Sequence, residues 1–174
     1  MRLITDARPA NSCFQQPPGV PLCSAETLGL FEIEAGFGLT PAELAATAPF
    51  PGLFLGSADV ENCFHRFLIP PWLSRFFLVD ESFSVDELGL VGTSSGGRLL
   101  ARRDEVMVGC ATLPMGFSWA LYFAQRADFC LLERALSTTD TVAFDDRRGP
   151  PRMAPSNKER LYYYVYVDNL GVLC

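Results

Sequence analysis

The sequence predicts an α+β fold in which an antiparallel sheet is backed by helices. Two observations lead to this prediction. The segment 161–173 alternates aromatic and β-branched residues and is interrupted at Asp168-Asn169, as expected for a β-hairpin with Asp168 at its tip. The segment 116–136 has no glycine or proline after Gly116 and repeats apolar residues at helical spacing, which predicts the longest helix, packed against the sheet.

Earlier in the chain, a capping box and an apolar run predict two further elements. Thr40-Pro41-Ala42-Glu43 has the pattern of a helix start with proline at the first helical position, so a short helix is expected from Thr40 to about Ala48. The apolar run from Leu53 to Val60 predicts a buried strand that ends at Asp59. An acidic side chain is therefore expected at the end of a core strand.

The middle of the chain predicts further strands and one flexible insertion. β-rich composition predicts strands at 75–79 and 105–112. Between them, the Gly/Ser-rich stretch 92–97 is expected to form a hairpin or a disordered tip. The polar, proline-bearing stretch 137–160 is expected to be a flexible insertion before the final hairpin.

Length, charge and cysteine content limit the class of protein. With 174 residues, of which 49% are hydrophobic, one domain with a real core is expected. No window approaches the roughly 20 apolar residues of a membrane span, and the N-terminus turns polar too soon for a signal peptide. We therefore expect an intracellular protein, cytoplasmic or nuclear, with no membrane partner.

The six cysteines include no Cys-x-x-Cys pair, so they are expected to be reduced and mostly buried rather than to bind zinc or form disulfides. The net charge of −6 argues against self-sufficient nucleic-acid binding, because Lys and Arg hold the phosphate backbone.

Asp59 and Asp168 are the strongest candidates for chemistry. Phosphoryl transfer onto a hydroxyl group with two divalent metals needs carboxylates delivered from rigid neighbouring strands. Both aspartates end or interrupt hydrophobic β segments, where a carboxylate is costly unless it finds a cation or hydrogen-bond donors. Taken singly, each fits a capping or turn role better than a catalytic one.

Four segments, taken in order, resemble the motifs of reverse transcriptases. They are Arg2 to Asn11, which ends in an Arg-x-x-Asn pattern like that of the fingers, then Ser57-Ala58-Asp59-Val60-Glu61-Asn62-Cys63-Phe64, Leu113-Pro114-Met115-Gly116 and Tyr166-Val167-Asp168-Asn169. The resemblance covers most of the chain, and the order of the motifs makes it specific. It implies a single truncated reverse-transcriptase domain, with a partial fingers segment at 1–50, a polymerase palm at 51–174 and no thumb.

The resemblance also implies a reaction and a metal site. The reaction is RNA-directed DNA synthesis, in which deoxynucleoside triphosphates extend a primer on an RNA or DNA template. Asp59 and Asp168 would bind Mg²⁺ or Mn²⁺, and the carbonyl group of Val60 would complete the shell of the second metal. Asn169 would stand at the catalytic position where the family usually has a second aspartate.

Further residues match the family's substrate-binding positions. Arg2 would clamp the triphosphate, and Phe64 would lie beneath the sugar, where a ribose 2′-hydroxyl would clash. Met115 and Gly116 would form the turn that approaches the incoming base pair, although Met115 replaces the usual glutamine and loses one hydrogen bond to the nucleotide. Gln125, further along the long helix, would contact the template strand.

Departures from the family pattern leave alternatives open. Asn169 is a weaker metal ligand than a carboxylate, although asparagine occurs at this place in some RNA-copying polymerases. The sequence stops before the thumb, so fingers and thumb elements outside it are expected as further polymerase domains and the chain alone is expected to bind duplex poorly. One alternative is an inert retroelement remnant or interaction domain. Another is an RNA-dependent RNA polymerase palm, which Phe64 and the Leu-Pro-x-Gly turn disfavour.

Overall fold

The computed structural model describes residues 6–33, 54–136, 140–153 and 160–174. The chain divides into two compact units, each built from two chain segments. The first unit comprises Met1–Gln16 and Phe64–Ala120, and the second unit comprises Pro17–Cys63 and Leu121–Cys174. The helix expected from Thr40 to Ala48 lies outside the described residues.

Four short helices, one long helix and small sheets make up the described ranges. The helices are α1 Arg8–Asn11, α2 Ala25–Gly29, α3 Cys63–Arg66, α4 Pro71–Ser74 and α5 Ala120–Ala135. The strands are β1 Glu32–Ile33, β2 Leu55–Asp59, β3 Leu78–Ser84, β4 Ser94–Ser95, β5 Arg98–Leu99, β6 Glu105–Gly109, β7 Thr141–Ala143, β8 Arg152–Met153, β9 Leu161–Tyr166 and β10 Asn169–Leu173. This mixture confirms the predicted α+β class. None of these helices combines the length and apolar character that crossing a bilayer requires.

A four-stranded sheet in the order β2-β10-β9-β7 organises the second unit. The strands β2, β10 and β9 are antiparallel neighbours, whereas β7 runs parallel to β9. The sheet is therefore mixed rather than purely antiparallel, because β7 adds to it from the segment predicted to be an insertion. The prediction that β2 is buried is wrong. It lies at the edge of the sheet, with all five residues exposed.

The described part of the predicted insertion, residues 140–153, is more ordered than its composition predicts. Its strand β7 pairs with β9, and the next two residues, Phe144 and Asp145, are buried. The Phe144 ring joins a hydrophobic core whose other buried members are Cys23, Met153, Tyr162 and Leu173. The Asp145 carboxylate accepts hydrogen bonds from two following backbone N–H groups at 2.8 and 3.0 Å. A buried aromatic anchor and an aspartate-centred turn thus order the described part of this polar segment.

The long helix α5 packs against β9, as predicted. Its Ala124 is fully buried, and the Phe129 ring centroid lies 5.8 Å from that of Tyr163 on β9. The helix begins at Ala120 rather than near Gly116. Gly116 has a φ of 99°, which an α-helix does not contain.

Aromatic packing and two antiparallel strand pairs form the first unit. Phe77 and Phe117 lie with ring centroids 5.0 Å apart, in a core whose other buried members are Ala7, Ala10, Leu73, Leu113 and Ala120. The strand pairs are β3 with β6 and β4 with β5. Gly96 and Gly97, with φ of 59° and 81°, form the two-residue turn between β4 and β5. The glycine-rich stretch is therefore a hairpin.

All six cysteines carry free thiols, but they are not mostly buried. Cys23 and Cys63 are buried and Cys110 is partly buried, whereas the exposed ones are Cys13, Cys130 and Cys174. Cys130 lies on an outward face of α5, and Cys174 follows the last strand. The expectation of burial is therefore wrong for the three exposed cysteines, because the position of a residue in the fold sets its exposure and the residue type alone does not.

Candidate functional site

The ends of two neighbouring strands bring the two candidate aspartates together in the second unit. Asp59 is the last residue of β2 and lies directly opposite Asn169, the first residue of β10. One residue beyond Asp59, the backbone N–H of Val60 donates a hydrogen bond of 2.7 Å to the carbonyl oxygen of Asp168. Asp59 is exposed and Asp168 is half-buried, so both carboxylates lie at the surface end of the sheet.

A two-residue turn presents Asp168. Tyr166 pairs with Asn169, so the loop between β9 and β10 consists of Val167 and Asp168, one residue earlier than the sequence predicts. Val167 has a φ of 58°, whereas Asp168 does not have a positive φ. A positive φ at the first central residue alone is typical of a type II′ turn, where glycine is the usual occupant. The β-branched Val167 therefore holds a strained backbone conformation beside the candidate ligand.

The side chain of Gln125 on α5 reaches this turn from the interior. Its Oε1 atom accepts a hydrogen bond of 2.6 Å from the backbone N–H of Val167. Its Nε2 atom donates to the carbonyl oxygens of Val165 and Pro21 at 2.9 and 3.0 Å. Only 3% of Gln125 is exposed, so its expected contact with a template strand is corrected to an internal one, because both ends of the amide are used within the protein.

Asp128 is a third carboxylate at this site that the sequence did not indicate. It lies on α5, is 5% exposed, and accepts a hydrogen bond of 3.7 Å from the Sγ atom of Cys63. Burial raises the pKa of Asp128, and the nearby charge of Asp168 raises it further. Burial, followed by the charge of Asp128, raises the pKa of the Cys63 thiol to about 11, with smaller contributions from Asp168 and Asp59. Cys63 is therefore a neutral hydrogen-bond donor at physiological pH, surrounded by acidic groups.

Candidate oxygen ligands at this end of the sheet are the side chains of Asp59, Asp168 and Asn169 and the Val60 carbonyl, and hard divalent cations bind through oxygen atoms. The Val60 carbonyl accepts a hydrogen bond of 3.1 Å from the N–H of Cys63, and a carbonyl oxygen has two lone pairs. The Nδ2 atom of Asn169 donates a hydrogen bond of 3.0 Å to Oδ1 of Asp168. In the described ranges, no group of three or more His, Cys, Asp or Glu side chains is arranged to hold a metal ion. Mg²⁺ commonly binds proteins through one or two carboxylates and completes its shell with substrate phosphates and water.

The first unit contains the other described substrate-binding candidates. Phe64 is half-buried and packs against the core of that unit, and Met115 is 38% exposed. The turn at Gly116 is held by Asn11, whose Nδ2 donates to the Gly116 carbonyl at 3.0 Å and whose Oδ1 accepts from the N–H of Ser118 at 2.8 Å. Direct contact therefore joins two of the four sequence motifs, the Arg-x-x-Asn segment and the Leu-Pro-Met-Gly turn. Arg2 lies outside the described residues.

Polar residues on the buried face of α5 are the signal that sequence reasoning missed. Gln125 and Asp128 are three positions apart, so they lie on the same side of the helix as the buried Ala124. An amide and a carboxylate within an apolar helical face need internal partners, and those partners here are the hairpin backbone and Cys63. The hydrophobic spacing of the helix predicted where it packs but not what these two side chains contact.

No family model matches this chain, and no curated protein sequence matches it.

Proposed function

We propose that this chain is the palm of a reverse transcriptase, an RNA-directed DNA polymerase that adds deoxynucleotides to a primer on an RNA or DNA template. The observation that carries the proposal is the placement of Asp59 and Asp168 at the same end of adjoining strands, connected by the hydrogen bond from Val60. This arrangement meets the requirement for two carboxylates on rigid, neighbouring elements. The order of the four sequence motifs is the second support for the proposal.

In the proposed reaction, the primer 3′-hydroxyl attacks the α-phosphorus of the incoming deoxynucleoside triphosphate and pyrophosphate leaves. Bound Mg²⁺ or Mn²⁺ would act as a Lewis acid that stabilises the charge developing on the attacking and leaving oxygens. The role of the protein is to hold Asp59, Asp168 and the Val60 carbonyl as oxygen ligands in a fixed relation. Asp59 is exposed and Asp168 is half-buried, so this end of the sheet is in contact with solvent.

Negative charge dominates the site before any cation binds. Asp59, Asp128 and Asp168 all act on the Cys63 thiol, and the whole chain has a net charge of −6. Phosphate groups approach such a surface only when cations neutralise it, so the proposal requires binding of substrate to depend on divalent metal. Positive charge that grips the duplex is proposed to come from further polymerase domains.

The preference for deoxynucleotides is proposed to come from Phe64, which by resemblance lies beneath the sugar. Asn169 is proposed to weaken, but not abolish, catalysis. Its amide can offer one oxygen to a cation, and its Nδ2 atom hydrogen-bonds the Asp168 carboxylate.

The test is primer extension with Mg²⁺ or Mn²⁺, using a DNA primer on an RNA template, with and without added fingers and thumb elements. With the fingers and thumb elements supplied, we expect incorporation by the unchanged chain to be lost in Asp168→Ala and to increase in Asn169→Asp. Asp80→Ala is the matched control, because Asp80 is an exposed aspartate on β3 of the first unit. It should leave incorporation unchanged.

The opposing candidate is a catalytically inert retroelement remnant, which the asparagine at position 169 and the acidic balance of the chain favour. Absence of incorporation in every variant, even with fingers and thumb supplied, would support the remnant. Incorporation that persists in Asp168→Ala would reject the proposed role of that residue.

A further inference from the structure

We infer that Gln125 is a positioning residue, which fixes the Val167-Asp168 turn and thereby the location of the Asp168 carboxylate. The inference rests on the proposed function, since positioning matters only if Asp168 is a ligand. It replaces the template contact first expected of Gln125 with a role inside the protein.

The side chain of Gln125 hydrogen-bonds three backbone groups, which lie in two separate chain segments. The side chain receives the Val167 N–H at 2.6 Å and donates to Val165 at 2.9 Å, so it bridges the end of β9 and the turn that follows. Its second donor bond, of 3.0 Å, goes to Pro21 in the segment before α2. Because Gln125 is 3% exposed, water does not compete well for these bonds.

The backbone that Gln125 holds is the one that most needs support. Val167 has a φ of 58°, a region that β-branched residues rarely occupy. Val167 is only 7% exposed, so its side chain is fixed by packing while its N–H is fixed by Gln125. A strained conformation persists only where surrounding structure imposes it. The next residue along the chain is Asp168, so a change in φ at Val167 redirects the carboxylate.

An amide is the side chain that this position requires. The carbonyl oxygen satisfies a buried backbone donor, and the NH₂ group satisfies two buried backbone acceptors. Methionine has a similar length and volume but supplies none of these bonds. Gln125→Met therefore removes the hydrogen bonds while largely retaining the packing.

Val167→Gly provides a second, independent change at the turn. Glycine adopts a positive φ without strain, so the turn of this variant needs less external support. If Gln125 acts by imposing the backbone of Val167, removing Gln125 should matter less when position 167 is glycine. A double-mutant cycle between the two positions measures that coupling.

The experiment measures Mn²⁺ affinity by water-proton relaxation and amide exchange by NMR in the full chain, for Gln125→Met, Val167→Gly and the double variant. Gln16→Met, which changes an exposed glutamine, is the control. We expect Gln125→Met to weaken Mn²⁺ binding about tenfold and to accelerate exchange at the Val167 amide by a similar factor, while other amides of β9 and β10 change little. In the Val167→Gly background, the loss of Mn²⁺ affinity from Gln125→Met should fall to about threefold or less.

Three results would overturn the inference. Unchanged Mn²⁺ affinity in Gln125→Met would show that Asp168 does not depend on Gln125. Equal losses in both backgrounds would show that the strain at Val167 is irrelevant. Uniformly faster exchange throughout β9 and β10 would show a general packing role. Failure of the proposed function would give a different result: Asp168→Asn, made in the otherwise unchanged chain, would leave the Mn²⁺ affinity unchanged. The inference about Gln125 would then fail together with the proposed function.

Discussion

Asp59 on β2 and Asn169 on β10 are cross-strand partners, so their side chains project from the same face of the sheet. Asn169 also donates a hydrogen bond of 3.0 Å to Asp168, the adjacent residue in the turn. The neutral amide thus lies beside two carboxylates. In the absence of a cation, an aspartate at the same position would place a third negative charge beside them.

Asn169→Asp should destabilise the metal-free protein and stabilise the metal-bound one. Directly opposed like charges on a sheet are unfavourable, and we expect a loss of about 0.5–1 kcal/mol in the free energy of unfolding in EDTA at pH 7. Added Mn²⁺ should reverse the sign of this difference, because three carboxylates then share the cation. Urea denaturation with EDTA and with Mn²⁺ measures both. A variant as stable as the unchanged chain in EDTA and unaffected by Mn²⁺ would show that a carboxylate at position 169 neither repels the two aspartates nor shares a cation with them.

Asp128→Asn should stabilise the protein at neutral pH. Burial raises the pKa of Asp128 above its ordinary value of 3.8, so the folded state holds this proton to a higher pH than the unfolded state does. Stability from this group is fully present below pH 3.8 and is lost as the pH rises towards the raised pKa. Asparagine carries no charge and retains an oxygen that accepts the Cys63 thiol. We expect a gain of about 1 kcal/mol at pH 7 that vanishes near pH 3.8.

Urea denaturation between pH 3.5 and pH 8, in steps of about half a unit, measures this dependence for the variant and the unchanged chain. Asp80→Asn is the control, because Asp80 is exposed. A gain that is equal at all pH values would assign the effect of Asp128→Asn to something other than titration of Asp128.

Gly171→Ala should be strongly destabilising. Gly171 on β10 lies opposite Tyr164 on β9, and a Cβ atom at position 171 would overlap the Tyr164 ring. We expect a loss of about 2 kcal/mol in the free energy of unfolding, measured by urea denaturation. The matched control is Gly56→Ala on β2 of the same sheet, where the nearest atom to a new Cβ is the Val172 carbonyl oxygen at 4.0 Å. If both variants lose the same stability, contact with the tyrosine ring is not the cause.

Asn11→Ala should loosen the Gly116 turn of the first unit. The substitution removes hydrogen bonds to the Gly116 carbonyl and from the Ser118 N–H, which we expect to lower the free energy of unfolding by about 1–2 kcal/mol. Amide exchange at Ser118 should accelerate with it. The control Ser12→Ala removes only the hydrogen bond of 2.7 Å from the Ser12 hydroxyl to the Pro9 carbonyl, so it should lower the free energy of unfolding by less than about 0.5 kcal/mol. Unchanged protection at Ser118 would mean that Asn11 does not hold the turn.

The sequence predicted the long helix and the final hairpin well because both have strong local patterns. Helix α5 follows from apolar spacing, and β9 and β10 follow from alternation around a turn. The adjacency of Asp59 and Asp168 was also expected, but only through the order of the motifs. Local pattern does not encode which strands are neighbours.

Features that depend on long-range pairing were not predictable. Strand β7 lies in a polar segment, and its order comes from pairing with β9 and from burial of Phe144. The exposure of β2 follows from its edge position, which an apolar composition does not reveal. The internal role of Gln125 depends on where α5 meets the hairpin, a contact 42 residues apart in the chain.

The most direct test of the central claim is whether Asp59 and Asp168 together bind a divalent cation. Mn²⁺ binding followed by electron paramagnetic resonance at pH 7 compares the unchanged chain with Asp59→Asn, Asp168→Asn, the double variant and the exposed control Asp80→Asn. We expect Asp59→Asn and Asp168→Asn each to weaken Mn²⁺ binding at least tenfold, and the control to bind Mn²⁺ like the unchanged chain. Because the two carboxylates act on one cation, the double variant should bind Mn²⁺ no more weakly than the weaker-binding single variant. Equal Mn²⁺ binding by all five proteins would contradict the claim that these aspartates form a metal site.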